Sequence, residues 1–210
     1  MLMNHCRKNH ALRLSPGQAL STYRNMGFSL VEVLVTIVIL SIGLLGLAGL
    51  QARALNAQME SYQRSQALIL LKDMADRIDA NRANAADYMT AATPRGTGFN
   101  GSAVQNCSSL TGSGLDLCEW HNALLGAAET QGANKVGAMI GARGCVTQIA
   151  AAASGAPGEY LVAVAWQGLN STAAPTITCG QNQYPNTTSP NERLRRVVAL
   201  PISMANLASP

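Results

Sequence analysis

From Phe28 to Leu50 the chain is apolar or small at every position except Glu32. A helix rises ~1.5 Å per residue, so this run is long enough to cross a hydrocarbon layer of roughly 30 Å. One ionised side chain in such a segment costs about 2.5–3.5 kcal/mol on insertion scales, which normally marks function. An interfacial anchor with Glu32 near one end is the plainer alternative. Beyond Leu50 the pattern turns amphipathic with no helix-breaking proline. Ala67, Leu71, Met74 and Ile78 recur at i, i+4, i+7 and i+11, which marks one buried face. Arg64, Lys72, Asp73, Asp76, Arg77 and Asp79 supply the polar sides. The pattern predicts one helix from about Phe28 to about Arg82, roughly 80 Å long.

Residues 83–115 then form a turn-rich connection with few apolar positions. Leu117, Trp120, Leu124 and Ala128 predict a short helix, with Asp116 as its N-cap, Trp120 in the core and His121 exposed. Strand patterns follow at 144–149 and, most clearly, at 159–166 between Pro157-Gly158 and Gly168. The second strand carries Tyr160, Val162, Val164 and Trp166 on one face and Leu161, Ala163 and Ala165 on the other. The smaller face is the one expected to lie against a helix. Residues 176–179 read as a short edge strand, 185–190 as a turn-rich break, and 193–202 as the last strand. The fold class is α+β: a long N-terminal helix, its second half packed on a small antiparallel sheet.

Charge sharpens this picture. The net charge of +4 resides in the first 27 residues, which hold Arg7, Lys8, Arg13 and Arg24 and no acid. The remainder has 11 basic and 11 acidic residues. The excess therefore reads as a topology signal and gives no support to a nucleic-acid surface. An ordinary secretory signal would need a shorter apolar region ending in a small-residue cleavage site. Ala52-Arg53-Ala54 has the small residues, but the run before it is too long.

Five cysteines are present; Cys6 lies in the basic leader, leaving Cys107, Cys118, Cys145 and Cys179. An even number on the far side of a membrane suggests two disulfides, for which three pairings exist. Sequence separation favours Cys107–Cys118, leaving Cys145–Cys179. No two cysteines are close enough for a zinc motif.

Catalytic patterns are missing from the sequence. It contains no G-x-S-x-G, H-E-x-x-H or Walker loop. Gly96-Thr97-Gly98 lacks the strand–helix context of a phosphate loop, and Asp73, Asp76 and Asp79 alternate with Lys72 and Arg77 as a solvated face would. Arg193, Arg195 and Arg196 read as a contact surface or as an edge strand that resists edge pairing. No enzyme activity, metal or cofactor is expected.

The junction Gly27-Phe28-Ser29-Leu30-Val31-Glu32, behind a basic leader and ahead of the apolar run, resembles the class III signal of type IV prepilins and type II secretion pseudopilins. Ser41 to Leu47, Gly144-Cys145, Val164 to Gly168 and Arg195 to Val198 are similar to the PilV group of minor pilins, the type IV pilus modification proteins. The resemblance implies cleavage between Gly27 and Phe28 by a prepilin peptidase, N-methylation of Phe28, and an assembly role for Glu32. It divides the chain into a cytoplasmic leader (1–27), a membrane and assembly half-helix (28–50), an amphipathic half-helix (51–82) and a disulfide-containing head (83–210). The leader is longer than that family's usual one, which makes Met3 an alternative start. The implied function is a minor pilin that primes pilus assembly near the tip; a minor pseudopilin is the alternative. The implied partners are the major pilin, other minor pilins, a large tip adhesin, the inner-membrane assembly platform and membrane lipid. The implied location is the bacterial inner membrane, single-pass with a periplasmic head, and then the pilus fibre. In that family the helix can loosen locally during assembly. Gly43, Gly46 and Gly49 stand in the corresponding region, where relatives often carry a proline.

Overall fold

The computed structural model describes residues 27–90, 93–127, 130–131, 134–135, 139–152, 157–184 and 192–205. The basic leader up to Met26, Cys6 within it, Ala128 and the 185–190 break lie outside the described residues. The chain divides into two compact units, Met1–Ala48 and Gly49–Pro210. Helix α1, Leu30–Ala80, has 51 residues and contributes to both.

In the first unit every described residue is exposed. The Val33 N–H donates to Ser29 O at 3.2 Å and opens the helix. The hydroxyls of this stretch are satisfied by the helix backbone. Thr36 Oγ1 donates to Val33 O at 2.8 Å, and Ser41 Oγ to Ile37 O at 2.7 Å. This is how an apolar helix carries hydroxyls without exposing an unmet donor to lipid. The most apolar stretch of the helix is wholly exposed. Its length and composition suffice to cross a membrane.

In the second unit α1 buries Gln63, Ala67, Leu71, Met74, Ala75 and Ile78. After Ala80 the chain tightens into a 3-10 turn, Arg82–Tyr88. Strands β1 (Arg95–Gly96), β4 (Arg143–Ala150), β5 (Gly158–Gln167) and β6 (Arg195–Met204) form an antiparallel sheet in the order β1-β4-β5-β6. Two further short strands, β2 (Thr130–Gln131) and β3 (Asn134–Lys135), pair as a separate hairpin. Helix α2 spans Gly112–Leu124. Val162 at the centre of β5 stands opposite Val146 on one side and Leu200 on the other.

The large face of β5 meets the helices. Tyr160, Val162, Val164 and Trp166 cluster with Ala67, Leu71, Met74 and Ile78 of α1, and with Trp120 and Leu124 of α2. Ala163 and Ala165, on the other face, cluster with Cys145, Cys179 and Tyr184. This reverses the expectation that the small face lies against a helix. The reason is steric: the small face has to admit a disulfide and a loop backbone. A Cβ placed on Gly180 would sit only 3.2 Å from Ala165 Cβ.

Three local readings are also corrected. Helix α2 begins at Gly112 with Thr111 at its N-cap, so Asp116 lies inside the helix. Residues 176–179 bend and turn without pairing as a strand, because their chain is held by side chains described below. The connector contains β1, whose Arg95 pairs with Gly144. Gly144 is where α2 approaches the sheet: a Cβ there would lie 2.3 Å from Trp120 Cη2 and 2.7 Å from Leu124 Cδ1. Only glycine allows that approach. The Trp120 indole N–H donates to Leu70 O at 2.9 Å and ties α2 to α1.

Candidate functional site

Gly27, Phe28 and Glu32 stand together at the start of α1. Gly27 to Ser29 precede the helix in non-helical backbone, and Glu32 lies in its first turn. A carboxylate there faces the positive end of the helix dipole. Phe28 is 83% exposed, and the apolar side chains that follow are exposed on all sides. A helix apolar all round cannot remain so in water; it needs lipid or other apolar helices. At Gly43 and Gly46 an added Cβ would meet nothing within 4 Å, so their small surface is open to close approach by another helix.

The second unit is held by two disulfides and a set of ion pairs. Cys107 is bonded to Cys118, which ties the turn-rich connector to α2. Cys145 is bonded to Cys179, which ties the 175–180 loop to the outer face of β4. Arg77 joins α1 to α2, its Nη1 donating to Asp116 Oδ1 at 3.0 Å and Glu119 Oε2 at 2.7 Å, with Nε on Asp73. Burial alone would favour the neutral guanidine, but Glu119, Asp73 and Asp116 outweigh it and raise the Arg77 pKa. The Tyr88 hydroxyl donates to Asp116; burial and that bond push its pKa up.

Asp73, Asp76 and Asp79 each have a cation within a turn: Arg77, Lys72 and Arg82. They form a paired helix face, and among the described residues no His, Cys, Asp and Glu side chains gather as a metal site.

His121, expected on the surface, is buried. Its Nδ1 accepts the Gly96 N–H at 2.9 Å and its Nε2 donates to Ala103 O at 2.8 Å, which assigns the proton to Nε2. The side chain lies under β1 and the 99–103 segment, where these two backbone partners make it a structural link.

The arginine cluster of the last strand divides. Arg193 is exposed, but Arg195 is only 1% exposed and so cannot be part of a contact surface. Its Nε donates to Glu192 Oε2 at 2.9 Å, and its remaining donors reach the carbonyls of Ile177, Cys179 and Pro175. One fork thus holds the loop that spans the outer face of the sheet. Arg196 donates to Asn170 O and lies 3.4 Å from Glu60. Glu60 also accepts the N–H groups of Leu169 and Asn170 at 3.0 Å. Burial would raise its pKa, but the Asn170 N–H, Arg196 and the Leu169 N–H together lower it. These anchors join residues far apart in the chain and leave little local trace; Glu192, three residues before Arg195, is the one signal visible in the sequence.

Residues 24–48 match the Prokaryotic N-terminal methylation motif, and residues 49–118 match Type IV pilin Tt1218. The two matches abut where the chain divides into its two units. No curated protein and no solved structure matches the chain.

Proposed function

The chain is a type IV prepilin-like protein, and from that premise we propose that it is a minor pilin that primes pilus assembly at or near the tip. The observation that carries the assembly reading is Glu32: one exposed carboxylate in the first turn of α1, whose first half, to Leu50, is otherwise apolar or small on every side. Such a charge is expensive in lipid unless a cation meets it. Cleavage between Gly27 and Phe28 by a prepilin peptidase creates that cation, the Phe28 amine, which is then N-methylated. On a neighbouring subunit the amine meets Glu32 and sets the axial register between helices. Before assembly the apolar half-helix anchors the protein as a single pass in the inner membrane, with the head in the periplasm.

The PilV-like stretches Ser41 to Leu47 and Val164 to Gly168 favour a minor over a major pilin. The partners are then the major pilin, other minor pilins, the assembly platform and a large tip adhesin. The two disulfides favour a pilus over the alternative, a minor pseudopilin of a type II secretion system.

Glu32→Ala tests the reading. The variant should insert and be cleaved, because Gly27 and Phe28 are intact, yet be missing from sheared filaments. Recovery of the variant in filaments at the wild-type level removes the assembly role. Gly27→Val should leave an uncut precursor in the membrane fraction, and a mature chain starting elsewhere would displace the processing site.

A further inference from the structure

Where the 97–102 segment comes near the 178–183 turn, a cleft of about 490 Å³ opens, lined among others by Pro94, Phe99, Asn100, Arg143, Gln181 and Gln183. That volume lies in the range of ligand pockets. Its lining contains three amide side chains, an apolar pair in Pro94 and Phe99, and one charge, the Arg143 guanidinium.

Arg143 and Arg95 are the half-buried cations of this unit that lie on no carboxylate among the described residues. Arg77, Arg82, Arg195 and Arg196 all lie on carboxylates. Half-buried Arg143 reaches the carbonyls of Thr97 and, at 3.4 Å, Gln183, its guanidinium carbon lies 5.7 Å from the centroid of the Tyr184 ring, and its Nε is buried without a hydrogen-bond partner. Arg95, next to it across the β1–β4 pair, shares these traits. It is half-buried, its Nε is buried and unmet, and its guanidinium stacks 4.1 Å from the centroid of the Phe99 ring. A guanidinium withdrawn from water without a counter-charge is costly. With Arg143 on the cleft, Arg95 stacked on its lining residue Phe99 and no acid among the described lining residues, a positive field is left there.

We propose that this cleft binds an acidic saccharide, a uronate-bearing oligosaccharide, with its carboxylate on Arg143. The guanidinium fork suits a planar carboxylate. Amides that both donate and accept suit ring hydroxyls, and Phe99 with Pro94 offers an apolar surface to the C–H face of a sugar ring. A small inorganic anion would use the charge and leave the amides and most of the volume unused. The site lies wholly in the second unit and does not depend on how the subunit assembles.

The test is calorimetry on the full-length protein in detergent micelles. The probes are trigalacturonic acid, its neutral methyl ester, inorganic phosphate and a short aspartate-rich peptide. The trisaccharide should bind, and its ester about tenfold more weakly, the ratio expected for one charge-assisted hydrogen bond. Arg143→Gln should abolish the preference for acid over ester. Because Arg143 also bridges two segments, exposed Gln181 provides the second variant. Gln181→Ala should weaken acid and ester alike, severalfold, with an unchanged melting temperature. Equal binding of acid and ester, equal binding of phosphate or the peptide, or an unaltered affinity in Gln181→Ala each overturns the proposal.

Discussion

Replacing Arg195 by methionine should be among the most damaging single changes in the second unit. The side chain is 1% exposed and its partner Glu192 is 6% exposed. Methionine fills similar space, so the loss is electrostatic. Glu192 keeps the Asn182 N–H but loses its cation, and three carbonyls of the 175–179 segment lose their donors. Breaking a buried pair from one side costs about 3–5 kcal/mol, a large share of the ~5–15 kcal/mol that holds a typical domain. For a chain of this length that corresponds to a fall in Tm of roughly 6–20 °C. Arg195→Met/Glu192→Gln should recover part of the loss, because the neutral amide still accepts from Asn182 without stranding a charge. Thermal unfolding of the full chain in micelles, followed by near-ultraviolet circular dichroism, provides the comparison. A shift under about 2 °C in the single variant would mean less than about 1 kcal/mol and would refute the anchoring argument. So would a double variant no more stable than the single.

Gly144→Ala should cost about 1–3 kcal/mol from overlap with Trp120 and Leu124, read as a lower urea midpoint, and Trp120→Phe in the same chain should restore part of it. Alanine replacement of both Cys145 and Cys179 should cost about 4 kcal/mol, and of both Cys107 and Cys118 about 3 kcal/mol. The sequence separations are 34 and 11, so the reverse order of midpoints would contradict the loop-closure reasoning. Glu60 has its folded pKa below the ordinary 4.5, so its contribution is full above that value and is lost as pH falls through the folded pKa. Glu60→Gln should therefore flatten the acid side of the stability profile, measured by urea midpoints from neutral pH downward, and an unchanged slope would count against it.

The parts of the fold legible in the sequence are those dictated by periodicity. The 3.6-residue spacing of Ala67, Leu71, Met74 and Ile78 marks the buried face of α1, and the alternation from Tyr160 to Trp166 marks β5. Which face of β5 meets the helix was not legible. Alternation separates two faces without saying what covers each, and here loop 175–180 with its disulfide covers the small one. The burial of His121 and Arg195 is hidden from the sequence for a related reason. Both are polar residues buried by long-range partners, Gly96 and Ala103 in one case and Pro175 to Cys179 in the other. Local patterns report polarity, whereas burial of a polar group depends on whether distant backbone satisfies it. The N-terminal motif was legible because Gly27, Phe28, Glu32 and the apolar run are contiguous.

The order of the two disulfides along the chain has a consequence for how the head matures. They are consecutive, Cys107 with Cys118 and Cys145 with Cys179, so neither loop encloses a cysteine of the other. For a head threaded across a membrane from its N-terminal side, each cysteine that arrives second is the native mate of the one before it. An oxidase joining thiols strictly in order of appearance reaches the final connectivity with no reshuffling step. In that order of events the first bond would close while β4, β5 and β6 are still to come, whereas the second would precede only β6. The sheet therefore completes itself on a chain whose covalent constraints are already in place, with the last strand bringing Arg195 to lock the loop that the second bond has tethered.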